Sequence, residues 1–111
     1  MRMKAAAMLA VLALSGATAG AKTVQYQIYT LAVGDSPQST VNDVMFDGQY
    51  IWAGIQNPDG GVLKKLTTSG SVVSTTGIGQ SADPDEMVYD GANVWVTDYE
   101  AGAVSVVSSS G

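Results

Sequence analysis

The sequence predicts an all-β fold made of two consecutive four-stranded antiparallel units of about 43 residues each. Three observations predict it. One phrase occurs twice, first as Val44-Met45-Phe46-Asp47-Gly48-Gln49-Tyr50-Ile51-Trp52-Ala53 and again as Met87-Val88-Tyr89-Asp90-Gly91-Ala92-Asn93-Val94-Trp95-Val96. Asp47 to Asp90 and Trp52 to Trp95 are both 43 residues apart, a period typical of stacked β repeats. Between the two copies the chain alternates short β-branched and aromatic runs with Gly, Pro, Asp and Ser turns, leaving no run long enough for a helix.

Residues 1–21 are read as a secretory signal peptide, outside the fold. Met1-Arg2-Met3-Lys4 is its basic start, Ala5 to Leu14 its apolar run, and Ser15 to Ala21 its small-residue tail. The run is shorter than the roughly 20 residues needed to cross a bilayer. Cleavage is expected after Ala21, and the short segments point to a bacterial periplasm or the medium. The remaining chain carries three lysines against ten carboxylates, a net charge of −7. That balance argues against nucleic-acid and anionic-membrane partners, which are bound through Lys and Arg. With no Cys, a disulfide framework is excluded; with no His, the commonest metal ligand and general base is missing.

The elements follow in order. Val24 to Val33 is β-branched and aromatic and ends at Gly34, which predicts a strand. Residues 34–42 carry turn chemistry. Asp43 to Phe46 is a short strand, Asp47-Gly48 a turn in which Gly accepts positive φ, and Tyr50 to Ile55 the return strand. Gln56 to Gly61 is a loop around Pro58-Asp59-Gly60. Val62 to Thr67 is the next strand, Ser69-Gly70 a turn, and Ser71 to Ile78 pairs back. Then the cycle restarts: a connection over Gly79 to Asp85, a strand over Glu86 to Tyr89, the Asp90-Gly91 turn, and Asn93 to Thr97. Asp98 to Gly102 is a loop and Ala103 to Val107 the last strand. The organisation expected is therefore 1–21 signal peptide, 22–69 first unit with its N-terminal outer-type strand, and 70–111 second unit. Gln27 to Gly34 aligns over Val72 to Gly79.

A four-stranded unit of this length is a β-propeller blade. The run Asp90-Gly91-Ala92-Asn93-Val94-Trp95-Val96-Thr97-Asp98, followed by Ala103-Val104-Ser105-Val106-Val107 and Ser110-Gly111, resembles the bacterial YVTN and streptogramin-lyase-like (NHL-like) propellers. The resemblance covers nearly all of the chain after residue 21. It implies blade architecture, and a full propeller of that group has six or seven blades where this chain has two. An incomplete propeller is the expectation, because isolated repeats leave faces and edges bare. The other solution is self-assembly, with three copies closing a six-bladed ring by strand exchange.

Trp52 and Trp95 are expected to pack between blades, as repeated aromatics in a stack do. Turn chemistry accounts for Asp47, Gly48, Asp90 and Gly91. The candidate ligand face is acidic: Asp43, Asp83, Asp85 and Glu86 on the connections between units, Asp98 and Glu100 on the loop after the second Trp strand. Clustered carboxylates suit Ca²⁺ or Mg²⁺, but no twelve-residue calcium loop is present, and solvated loop carboxylates are the simpler reading. No Gly-x-Ser-x-Gly elbow and no phosphate loop occur. The lyases of the resembled group use a His base and a metal, and this chain has no His for that role. The expected function is a secreted binding or scaffold module for a protein or carbohydrate ligand. The alternative is part of a propeller lyase or lactonase whose catalytic residues lie in other blades.

Overall fold

The computed structural model describes residues 28–110. The expected signal peptide and the first residues of the expected strand from Val24 lie outside the described residues. Two compact units divide the chain, Met1–Thr30 and Leu31–Gly111. Only residues 28–30 of the first are described, and they form no strand.

In the second unit seven strands follow one another: β1 Thr40–Phe46, β2 Ile51–Asn57, β3 Gly60–Leu66, β4 Val72–Gly79, β5 Pro84–Tyr89, β6 Asn93–Asp98 and β7 Ala103–Ser108. They make two antiparallel sheets, β1-β2-β3-β4 and β5-β6-β7, neither closed on itself. No helix occurs among the described residues. Each strand runs one to three residues beyond its sequence-predicted limit at one end, and β2, β3 and β4 fall one residue short at the other. The Gln56 to Gly61 loop contracts to a two-residue turn, Pro58-Asp59, because Asn57 and Gly60 already pair across the hairpin.

Two expectations differ. Four strands are expected in the second unit, but β4 pairs with β3 in the first sheet and leaves three in the second. Residues 28–33, the described part of the strand from Val24 to Val33, carry no strand. Leu31 packs its side chain against Gly70, and Val33 packs on Ala53, Ile55 and Leu66. Strand propensity describes a side chain that suits a pleated surface, and without a ladder partner it produces cover instead of strand. Asp35 then fixes the run: its carboxylate accepts from Lys64 Nζ and, at 2.9 Å, from Asn57 Nδ2.

The register sorts the side chains into two faces per sheet. In the first sheet Met45, Trp52 and Lys65 lie in one row on one face, with Asp43, Gly54 and Leu63 beside them. Its other face carries the rows Val44-Ala53-Lys64 and Phe46-Ile51-Leu66. In the second sheet Val88-Trp95-Val106 is the row on one face, and Met87-Val96-Ser105 and Tyr89-Val94-Val107 are the rows on the other. The main core forms where the Trp52 face of the first sheet meets the Val94 face of the second. Trp52, Leu63, Val94, Val96 and Val107 are buried there, with Met45, Ile78, Met87 and Tyr89 packed around them. Each fully buried aliphatic side chain of this kind contributes roughly 1.5–3 kcal/mol.

Close approach of the sheets requires Gly61. A Cβ there would lie 2.7 Å from the Ala82 carbonyl oxygen and 2.9 Å from Pro84 Cδ. The sheets are also bonded through polar groups. Asn42 Nδ2 donates to Asp83 Oδ1 and to the Pro84 carbonyl, each at 2.7 Å, and Lys65 Nζ donates to the Ser109 carbonyl at 2.6 Å.

Candidate functional site

The repeated phrase folds into the same hydrogen-bonded device twice. Gly48 and Gly91 have φ of +101° and +100°, the positive values that a side chain resists. Asp47 Oδ1 accepts the amides of Gln49 at 2.8 Å and Tyr50 at 2.7 Å, while its Oδ2 accepts the Trp52 indole N–H at 2.8 Å. Asp90 does the same with Ala92 at 2.8 Å, Asn93 at 2.7 Å and the Trp95 indole at 2.7 Å. Each carboxylate is thus committed to its own turn and its own Trp.

The electrostatics follow from those bonds. At Asp47 burial raises the carboxyl pKa, but the Trp52 indole and the Tyr50 and Gln49 amides outweigh it, and the group lies below its usual range. At Asp90 the Asn93 amide, then the Trp95 indole and the Ala92 amide, hold the carboxyl low. Asp35 is likewise lowered, first by its hydrogen bond from Lys64. A carboxylate held ionised by donated hydrogen bonds is a poor general base, since those bonds oppose its protonation.

The surroundings of the two tryptophans differ. Trp52 is fully buried, with Lys65 Nζ 5.5 Å from its ring centroid and 4.3 Å from that of Tyr50. Trp95, expected to be packed between sheets, is instead 40% exposed. Its face has no covering sheet among the described residues, because the second sheet meets the first through its opposite face.

Of the acidic candidates expected on connections and loops, only Asp83 and Glu100 lie there; Asp43 is within β1, Asp85 and Glu86 are within β5 and Asp98 ends β6, because the ladders extend past the sequence-predicted limits. Asp43 Oδ2 accepts the Met87 amide of the second sheet at 2.8 Å. Asp83 accepts from Asn42, gives its own amide to Asp98 Oδ1 at 3.0 Å, and takes the Tyr99 amide on its carbonyl. Asp98, buried, also accepts the Ala101 amide at 3.2 Å. Asp85, Glu86 and Glu100 are exposed, and the Glu86 amide donates to Thr97 Oγ1. The structure therefore brings Asp83 to Asp98 and ties Asp43 to the start of the second sheet. It does not gather the six: among the described residues no three such side chains converge as a metal site would need.

Sequence reasoning missed the Asp-to-Trp bonds, although the five-residue spacing recurs in both copies. It also missed the clasp in which Asn57 Oδ1 accepts from Ser39 Oγ and Asn57 Nδ2 donates to Asp35. Tyr99, beside Glu100, is 73% exposed, and only its place in a loop marks it in the sequence.

Comparison with family models, with curated proteins and with solved structures returned no match.

Proposed function

We propose that the chain is an exported β-propeller-type repeat module of the YVTN and streptogramin-lyase-like kind, serving a non-catalytic binding or scaffold role. The observation that carries this reading is the repeated device itself. Two sheets bear the same Asp-Gly-x-x-x-Trp turn with the same bonds, and they stack with the Trp52 face of the first against the face of the second that lies opposite Trp95. Each sheet then plays the part of a blade, the first with four strands and the second with three. Every carboxylate that is well ordered by hydrogen bonds serves a backbone amide, an indole, an Asn side chain or Lys64, which is structural work.

Ligand contact is assigned to the strand ends that carry Pro58-Asp59, the connection from β4 to β5, and Tyr99 to Gly102. Tyr99 is 73% exposed there, with Glu100 exposed beside it and Asp85 exposed on β5 next to the Pro84–Asp98 pair. An open aromatic ring with carboxylates suits stacking on a sugar and bonding to its hydroxyls, or contact with a basic protein surface. Titration of the purified chain with a panel of oligosaccharides and with a lysine-rich peptide tests this. Saturable binding that Tyr99→Ala weakens supports the reading. Binding that Tyr99→Ala, Asp85→Ala and Glu100→Ala all leave unchanged removes these loops from it, and turnover of any ligand contradicts the non-catalytic role. Export is tested by sequencing the N-terminus of protein recovered outside the cytoplasm, which should begin at Lys22.

A further inference from the structure

We propose that residues 31–36 form an acid-released strap on the first sheet, with the Asp35 and Lys64 pair as its latch.

The strap lies on the face of the first sheet opposite Trp52 and enters no ladder. Side chains seat it. Leu31 rests against Gly70, and Val33 rests on Ala53, Ile55 and Leu66. At the far end the Asp35 carboxylate accepts from Lys64 Nζ and, at 2.9 Å, from Asn57 Nδ2, while Asn57 Oδ1 takes the Ser39 hydroxyl. A segment held by a few side-chain contacts opens more readily than the sheet beneath it.

Lys64 makes the seat conditional. It is 8% exposed, whereas the Asp35 side chain that meets it is half exposed. Solvent protons therefore reach the carboxylate while the ammonium stays enclosed. Lys64 is the one charged group in contact with Asp35 among the described residues. From β2 comes the neutral Asn57, and the turn that follows the strap brings the neutral Ser36 and Ser39. A proton taken from solvent by Asp35 removes the counter-charge of Lys64. An enclosed charge stripped of its partner is strongly destabilising, and lifting the strap ends that penalty by letting water reach the ammonium. The direction follows from the same bond. The hydrogen bond from Lys64 holds the seated Asp35 carboxyl below its ordinary value, so the lifted strap takes up the proton first. The seat is whole above about pH 4 and is lost as pH falls through the lowered value.

The second unit carries the matching connection without this latch. In the repeat Val33 aligns with Ile78, Asp35 with Gln80 and Lys64 with Ser105. That connection is fastened by the Asp83 amide on Asp98 Oδ1 at 3.0 Å and by the Ala82 amide on the Gly79 carbonyl at 3.2 Å. Protonation of Asp98 leaves a neutral acceptor there and strands no cation. Acid thus acts on one connection of the two.

Methyl resonances of the full chain test the proposal. At about pH 6 Val33 should show nuclear Overhauser contacts to Ile55 and Leu66; at about pH 3 these should vanish while contacts between Trp52 and Val94 remain. Asp35→Asn should lose the Val33 contacts in both conditions, because Lys64 is then unpaired throughout. Asp35→Asn combined with Lys64→Met should regain them in both, since no charge is left to strand. Val33 contacts that persist in acid overturn the proposal, and so do contacts that disappear only together with those of Trp52 and Val94, which is ordinary unfolding. An Asp35→Asn chain whose strap stays seated contradicts it as well, as does a folded double variant whose strap stays open.

Discussion

The two sheets carry one local design in two surroundings. At Asp47-Trp52 and Asp90-Trp95 the turn, the positive-φ glycine and the carboxylate-to-indole bond coincide. Yet Trp52 is fully buried and Trp95 is 40% exposed. The six residues from Asp to Trp therefore set the local geometry and leave burial to the neighbouring sheet. The tryptophan bonded to its own turn is presented at a fixed place on a face, ready for a partner that one copy has and the other lacks. Preorganisation of this kind lowers the entropy lost on packing a large side chain.

The largest separation between the sheets is expected at the tryptophans themselves. Trp52→Ala should destabilise by about 3–5 kcal/mol, as for other buried aromatics. Trp95→Ala, measured by urea unfolding at low concentration, should cost only roughly 1 kcal/mol, since much of its ring is already hydrated. Equal losses would break the comparison. Next comes the pair Gly61 and Gly102, equivalent in the repeat. Gly61→Ala forces a Cβ into the Ala82 and Pro84 backbone region and should cost about 1–3 kcal/mol. At Gly102 a Cβ meets no neighbour within 4 Å, and Gly102→Ala should cost only about 1 kcal/mol of left-handed backbone strain.

The smallest effects concern pH. The carboxyl groups of Asp35, Asp47 and Asp90 lie below their ordinary value of 3.8 in the folded chain. A depressed folded pKa means the unfolded chain takes up protons first as pH falls. The stability these groups supply is whole above about pH 4 and drains away as pH drops through their folded values. Melting curves should hence show a fall in Tm below about pH 4 that is shallower in Asp47→Asn. Asp90→Asn should flatten it less, because Asp90 is the more solvated of the pair. A Tm that rises on acidification would reverse the sign assigned here.

Much of this fold was legible in the residues. Asp-Gly turns, β-branched runs and the 43-residue period lead to strands, hairpins and a repeated antiparallel sheet, because each is decided within a few residues. What depends on distant neighbours was not. Val24 to Val33 reads as a strand by composition, but whether such a run enters a ladder is settled by an available edge, and Leu31 and Val33 serve as cover instead. Trp95 looks identical to Trp52 in sequence, and only the stacking order separates them. At the acidic candidates the charge was visible; the donors that the Asp43, Asp83 and Asp98 carboxylates accept from, the Met87 amide, the Asn42 side chain and the Asp83 amide, were not, since these bonds span 15 to 44 residues. The Lys64 and Asp35 pair, one side chain nearly buried and the other half exposed, left no local mark at all.

The central claim is that one turn-and-tryptophan device is used twice, once with a covering sheet and once without. Fluorescence of the single-tryptophan chains Trp52→Phe and Trp95→Phe tests it most directly, with acrylamide as quencher. At the lowest concentration the chain retaining Trp52 should emit to the blue and resist quenching, while the chain retaining Trp95 emits to the red and is quenched readily. Two tryptophans equally shielded at high dilution, or a Trp52 open to the quencher, would contradict it.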